Sequence, residues 1–382
     1  MSSSPTPAPR SSVRRFTVRR RRLALAAVLP LIALLATSCG YGSRADKGAS
    51  GSASPAAGAK KLSADEVRIG YFPNLTHATA LVGVERGIFQ KDLGGTKLKG
   101  TTFNAGPSET EALNANSIDI GFIGPSPAIN GYTQSGGKSL RIIGGSASGG
   151  VKLVVNPKKI TSQSDLKGKK IATPQLGNTQ DVAFLNWLKG KGWKVAPQSG
   201  KGDVSVVREA NSVTVNAFRT GSIDGAWVPE PTASELLAAG GKTLIDESSL
   251  WPGKKFVITN IVVSQSFLKS HPDVVQAVLK GSVDTNKWIN ANPAEAKASA
   301  NEALKSLTGK ALPAKVIDSA WPSIRITDDP LAATLRAEAD HAVTAGLLKK
   351  PDLKGIYDLD PLNKVLKSEG RPAVSDAGLG AP

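Results

Sequence analysis

The chain has 382 residues, a formal net charge of +17 and one cysteine, so its length suits two ordinary domains and an intramolecular disulfide is excluded. Seven arginines and no acid fall in residues 1–38, which leaves +10 on the rest, spread over lysine runs such as Lys158-Lys159 and Lys167 to Lys170. No aromatic residues interleave with those runs, which argues against a nucleic-acid surface.

The N-terminus reads as an address. An apolar run from Leu23 to Thr37, interrupted by Pro30, is shorter than the ~20 residues of a membrane-spanning helix. Preceded by arginines and followed by Ala36-Thr37-Ser38, it forms a secretory signal over 1–38. Cys39 follows at once. The pattern resembles a bacterial lipoprotein signal, which implies a lipid on Cys39, although Ala36 stands where that pattern prefers leucine. The arginine pairs lack the surroundings of a twin-arginine signal, which favours the general secretory route. Residues 39–62 are mostly Gly, Ala, Ser and charged residues. They cannot bury enough apolar surface to order themselves and read as a tether with a reach of roughly 25 Å.

The body of the chain repeats itself. Val67 to Tyr71 reads as a strand leading through Pro73-Asn74-Leu75-Thr76 into a helix. Lys170 to Thr173 leads likewise through Pro174-Gln175-Leu176-Gly177-Asn178-Thr179. Strands at Thr101 to Asn104 and Val204 to Val207 follow, each with a short helix behind it. Then Ser117-Ile118-Asp119 and Ser222-Ile223-Asp224 open apolar strands that end in Pro125-Ser126-Pro127 and Pro229-Glu230-Pro231. Proline suits the first turn of a helix, so both Pro-x-Pro units read as helix starts. Strands alternating with helices at this spacing predict two α/β lobes with parallel sheets, and ligands of such sheets sit at the strands' carboxyl ends. Leu140 to Ile143 and Thr243 to Ile245 close the two copies.

Catalytic constellations are scarce. His271 and His341 fall in helical contexts and read as structural, whereas His77 lies in the first strand-to-helix loop. No histidine pair has metal-ligand spacing, so neither a metal nor a cofactor is expected. Gly131 to Ser139 fails as a phosphate loop because Tyr132 occupies a required glycine position.

From Val67 to about Leu347 the chain resembles the solute-binding proteins of ABC importers, in the branch serving nitrate, sulfonates and taurine. The segments that carry this are Gly70-Tyr71-Phe72-Pro73-Asn74-Leu75, Asp119 to Ala128, Gly177-Asn178-Thr179-Gln180 and Asp224 to Pro231. The resemblance implies a two-lobed α/β fold of the type II periplasmic-binding-protein kind, with two crossing strands and a ligand at the hinge. It also implies a small anionic solute, a membrane permease and a cytoplasmic ATPase as partners, with a monomeric binder and no catalysis. The lobes are expected at 63–150 and 151–257. The return crossing and C-terminal helices packing on the first lobe follow at 258–350, and an irregular extension at 351–382. A binder of a pyrimidine vitamin precursor, a sensor lipoprotein and an enzyme on the same fold stay open as alternatives.

An oxyanion held by backbone N–H groups and hydroxyls would meet Asn74, Thr76 and His77 on the first loop, and Pro125 and Ser126 at the helix start. Ser146 and Ser148 lie near the first crossing, Gly177, Asn178, Thr179 and Gln180 on the second lobe, and Thr259 and Asn260 on the return strand. Trp227 reads either as a cleft wall for an apolar part of the ligand or as core. Glu230 reads either as a helix-terminus carboxylate or as the partner of a ligand amine, as in taurine.

Overall fold

The structure, a computed structural model, describes residues 61–380. The signal, Cys39 and most of the tether lie outside them. Two sheets form the frame. The first is ordered β11-β4-β10-β3-β1-β2, with β1 at Glu66–Tyr71, β2 at Lys97–Thr102, β3 at Ile120–Ile123, β4 at Leu140–Gly149, β10 at Val257–Ser264 and β11 at Ile324–Ile326. The second is ordered β7-β6-β8-β5-β9, with β5 at Val151–Val155, β6 at Lys170–Thr173, β7 at Ser205–Arg208, β8 at Gly225–Pro229 and β9 at Lys242–Asp246.

The sheets are mixed rather than parallel. β1 pairs parallel with β2 and β3, and β6 parallel with β7 and β8, as the repeat predicts. The fourth position in each sheet is filled from the other lobe. β5 leaves the first lobe and lies antiparallel between β8 and β9, while β10 returns and lies antiparallel between β3 and β4. A strand arriving from the far side of the cleft runs against the resident strands. The first crossing turns at Gly149 and Gly150, both at positive φ (79° and 73°), which glycine adopts without a side-chain clash. Helices cover both faces of each sheet, so β3, β8 and β10 are buried at every residue and read as continuous apolar runs.

The duplicated aspartates do the same work twice. Asp119 Oδ2 accepts the backbone N–H of Arg68 (2.8 Å), and Asp224 Oδ2 accepts that of Lys170 (2.9 Å). Each side chain ties the start of the third strand of its lobe to the first. Each also meets a cation: Asp119 takes the Arg68 guanidinium, and Asp224 takes Lys159 at 2.6 Å.

Past residue 350 the chain packs against the body, and one helix stands between stretches without regular structure. Asp360–Ser368 is a helix, and Tyr357, fully buried, bridges Ile142 and Gly380. The helix Ala332–Thr344 contacts both the helix Pro125–Gln134 and the helix Thr179–Gly190, so it packs on both lobes rather than the first alone. Replacing Asp119 or Asp224 by alanine removes hydrogen bonds to charged groups and a strand tie. Each change is expected to cost about 2 kcal/mol of stability, read by urea denaturation.

Candidate ligand-binding site

The lobes touch across a cleft at the carboxyl ends of the parallel strands. The Leu75 N–H donates to the Glu230 backbone carbonyl (3.1 Å), and the Gly106 N–H donates to Asn178 Oδ1 (3.1 Å). Between them lies a cavity of about 20 Å3, room for a single small group. In this arrangement a solute enters only when the lobes part.

Five helices begin around this cavity: Ala78–Glu85, Gly106–Asn114, Pro125–Gln134, Thr179–Gly190 and Asn211–Arg219; the first N–H of two of them is already taken, that of Ala78 by the Leu75 carbonyl and that of Gly106 by Asn178. None is capped by the side chain of its own N-cap residue. Helix N-termini carry unpaired N–H groups and the positive end of the macrodipole, a ready site for an anion. The hydroxyls of Ser126 and Thr179 lie buried in two of these first turns without a hydrogen-bond partner. Buried polar atoms normally find partners, and Thr179 lines the cavity, so its hydroxyl marks where a ligand's acceptor would sit, whereas Ser126 is not among the lining residues.

No charged side chain lines the cavity. Asn74, Thr76 and His77 form one wall, and Asn178, Thr179 and Gln180 the opposite one. Asn104 and Asn211 add two further carboxamides, and Gly124 brings in the N-cap of the Pro125 helix. Phe72, Pro229 and Ile258 make an apolar patch.

His77 is buried, with its ring centroid 4.3 Å from that of Phe72. Its Nδ1 accepts the Phe72 N–H (3.2 Å), which leaves the ring proton on Nε2 as a donor. Burial pushes its pKa from 6.5 down to about 3, so the ring is neutral at physiological pH. Below pH 6.5 the unfolded chain gains a proton that the folded chain refuses. The stabilisation, complete above 6.5, therefore falls by about 1.4 kcal/mol per pH unit as pH drops towards about 3. His77→Gln is expected to remove that slope when urea stabilities at pH 7 and pH 5 are compared.

Six expected residues thus meet at one cavity: Asn74, Thr76, His77, Asn178, Thr179 and Gln180. Pro125 and Ser126 stand behind Gly124 in the adjoining helix turn. Gly177, at φ 75°, donates its N–H to Asp181 and shapes the second loop. Thr259 donates to the Thr76 carbonyl (2.9 Å) and so supports the first loop from below. Asn260 is fully buried on β10, and neither of its amide atoms is paired.

Four expected contacts are held elsewhere. Ser146 donates to Thr79, in a chain that continues through Asn286 to Asp328. Ser148 faces a second cavity. Trp227 is core: it is fully buried beside Phe184, and its Nε1 donates to Glu247 (2.6 Å). The Glu230 carboxylate pairs with Lys152 and accepts the N–H of Ser234 (2.9 Å), so it caps a helix and does not line the cavity. The Pro-x-Pro of the second copy therefore differs from the first. Pro229 ends β8, and the helix starts only at Thr232. Glu230→Gln would leave the partly buried Lys152 ammonium without a counter-charge. The expected loss is about 3 kcal/mol or more of stability by chemical denaturation.

Asn104 and Asn211 escaped the sequence reading, yet the repeat pointed to them. Each lies between the second strand of its lobe and the helix that follows, Asn211 as that helix's first residue.

A profile of the NMT1-like family matches residues 60–304. A putative aliphatic sulfonates-binding protein of Bacillus subtilis (strain 168) is 29% identical over 326 residues, covering 79% of this chain and 88% of its own. The taurine-binding periplasmic protein of Escherichia coli (strain K12) is 31% identical over 205 residues, 54% of this chain and 61% of its own. Among solved structures, the periplasmic nitrate-binding protein NrtA of Synechocystis PCC 6803 superposes with a TM-score of 0.67 at 15% identity, over 82% of this chain and 93% of that one. That likeness shows the fold. The chain belongs to the NMT1-like family, among the extracytoplasmic solute-binding proteins related to the sulfonate and taurine binders.

Proposed function

We propose that this chain captures a small organic oxyanion outside the cytoplasm by closing two lobes on it, and delivers it to an ABC permease driven by a cytoplasmic ATPase. The observation that carries this reading is the uncharged cavity bordered by the N-termini of the Pro125, Thr179 and Asn211 helices. Such an arrangement favours a compact monoanion whose oxygens accept hydrogen bonds. Thr179, His77 Nε2 and the surrounding backbone N–H groups are the donors in this reading, and Asn74, Asn104, Asn178 and Asn211 complete the shell. Phe72, Pro229 and Ile258 would pack a one- or two-carbon tail, which favours an aliphatic sulfonate or taurine, with nitrate next. The relatives named for sulfonates and taurine support that order. A ligand amine would meet the carboxamide oxygens rather than Glu230. The lipidated Cys39 and the tether over 39–62 would hold the binder at the outer face of the cytoplasmic membrane.

Binding works through differential affinity: a ligand that touches both walls stabilises the closed arrangement over the open one. The test is a thermal-shift and calorimetric panel on the full chain with taurine, alkanesulfonates, nitrate, bicarbonate, phosphonates and pyrimidines. A sulfonate at a hundredfold excess over its Kd is expected to stabilise the fold by about 2.7 kcal/mol. A response confined to pyrimidines would overturn the oxyanion reading. Asn211→Asp, which sets a carboxylate in that shell at unchanged size, is expected to weaken the anion more than a hundredfold. Retained affinity in that variant would show that the ligand is not an anion held at this cavity.

A further inference from the structure

A second cavity, of about 440 Å3, lies beside the crossing strands and shares no lining residue with the first. Its floor is Ser148 and Gly149, at the end of β4, together with Ile324 of the edge strand β11. Ile258 faces the cleft, whereas its neighbour Val257 is paired with Ser148. Both cavities therefore adjoin the crossing segment where β4 and β10 pair. The walls come from both lobes: Ile289 and Trp321 on the first, and Asp246 and Lys254 on the second. The shape of this cavity therefore depends on lobe closure.

Its chemistry is unlike that of the cleft. Two cations line it, Lys254 and Arg325, and among the described residues neither forms an ion pair. Lys254 is held at φ 56°, next to Gly253 at 59°. A left-handed backbone is disfavoured for lysine, and such outliers concentrate where side chains are aimed for a purpose. The one acid in the wall, Asp246, accepts both the N–H and the hydroxyl of Ser248 on Oδ1 (3.0 and 2.7 Å), so the wall sets two positive charges against one negative. Trp321 and Ile324 supply a flat apolar surface, and the volume lies in the range of small-molecule sites.

We propose that this hinge cavity is a second ligand site, taking an organic anion with a flat apolar body. Lys254 and Arg325 meet the anionic head, and Trp321 covers the body. A doubly charged head suits this site and not the cleft, which has no cation to meet it. Phenyl phosphate is the probe.

Calorimetric titration of the full chain with phenyl phosphate is expected to give saturable binding. The double variant Lys254→Ala/Arg325→Ala should weaken it at least tenfold and Trp321→Ala severalfold. Thr179→Val, in the cleft, should leave it unchanged. Both cations are exposed at the surface, so their removal leaves the fold intact, and equal melting temperatures check this. Absence of binding at millimolar probe overturns the proposal. So does binding that falls with Thr179→Val and not with the double variant, because the probe would then occupy the cleft.

Discussion

Neither sheet is complete without a strand supplied by the other lobe, and the rest of the molecule depends on that exchange. β5 and β10 each lie antiparallel between two resident strands and are bonded on both sides. The lobes are therefore not separable domains on a linker. Parting them can bend the crossing segments but cannot withdraw a strand without opening two ladders of hydrogen bonds. The exchange also fixes which way the sheets face. With β5 and β10 held between the lobes, the carboxyl ends of β1, β3, β6 and β8 all point at the same gap. The helices that follow those strands must begin there.

The cleft's lack of charged side chains follows from this arrangement. One helix N-terminus contributes about 0.3–1 kcal/mol to a nearby anion, and up to ~2 where partly buried. Several such ends add up, and they carry no net charge that must be desolvated when the lobes close on nothing. A lysine or arginine in the same place would need its own counter-charge in the unliganded protein. The buried carboxylates of the lobes show that rule at work, each paired with a partly exposed cation. Arg208 meets Asp181, Lys152 meets Glu230, and Arg68 meets Asp119. Each pair neutralises itself inside a lobe and leaves the cavity to the backbone.

The duplication made most of the frame legible in the chain itself. Strand and helix order and the long C-terminal helices follow the pattern, although β2 lies at Lys97–Thr102, several residues before the expected strand, and the second Pro-x-Pro helix starts only at Thr232. What the pattern could not carry was strand direction. A buried apolar run such as Phe256 to Val263 reads the same whether it runs with its neighbours or against them. The serines failed for a different reason. A serine near a crossing is equally suited to a ligand or to an internal network, and Ser146 is claimed by Thr79. Trp227 ends in the core because an indole N–H can be satisfied there by one carboxyl, and Glu247 supplies it. Asn104 and Asn211 were available to a stricter use of the repeat, which places each before or at the start of equivalent helices.

The two copies diverge where closure demands it. In the first lobe the Pro125 helix opens directly on the cavity through Gly124. In the second, the corresponding helix N-terminus is occupied by the Glu230 carboxylate, which also holds Lys152. Had it stayed open, this helix end would have joined the positive ends already facing the cleft. Glu230 prevents that. Its backbone carbonyl then accepts the Leu75 N–H from the opposite lobe, so the residue that quiets the second helix end also makes a latch. The anion site is therefore asymmetric by construction. The first lobe presents the open start of the Pro125 helix, and the second contributes Thr179 and Asn211 together with the contact that holds the lobes shut.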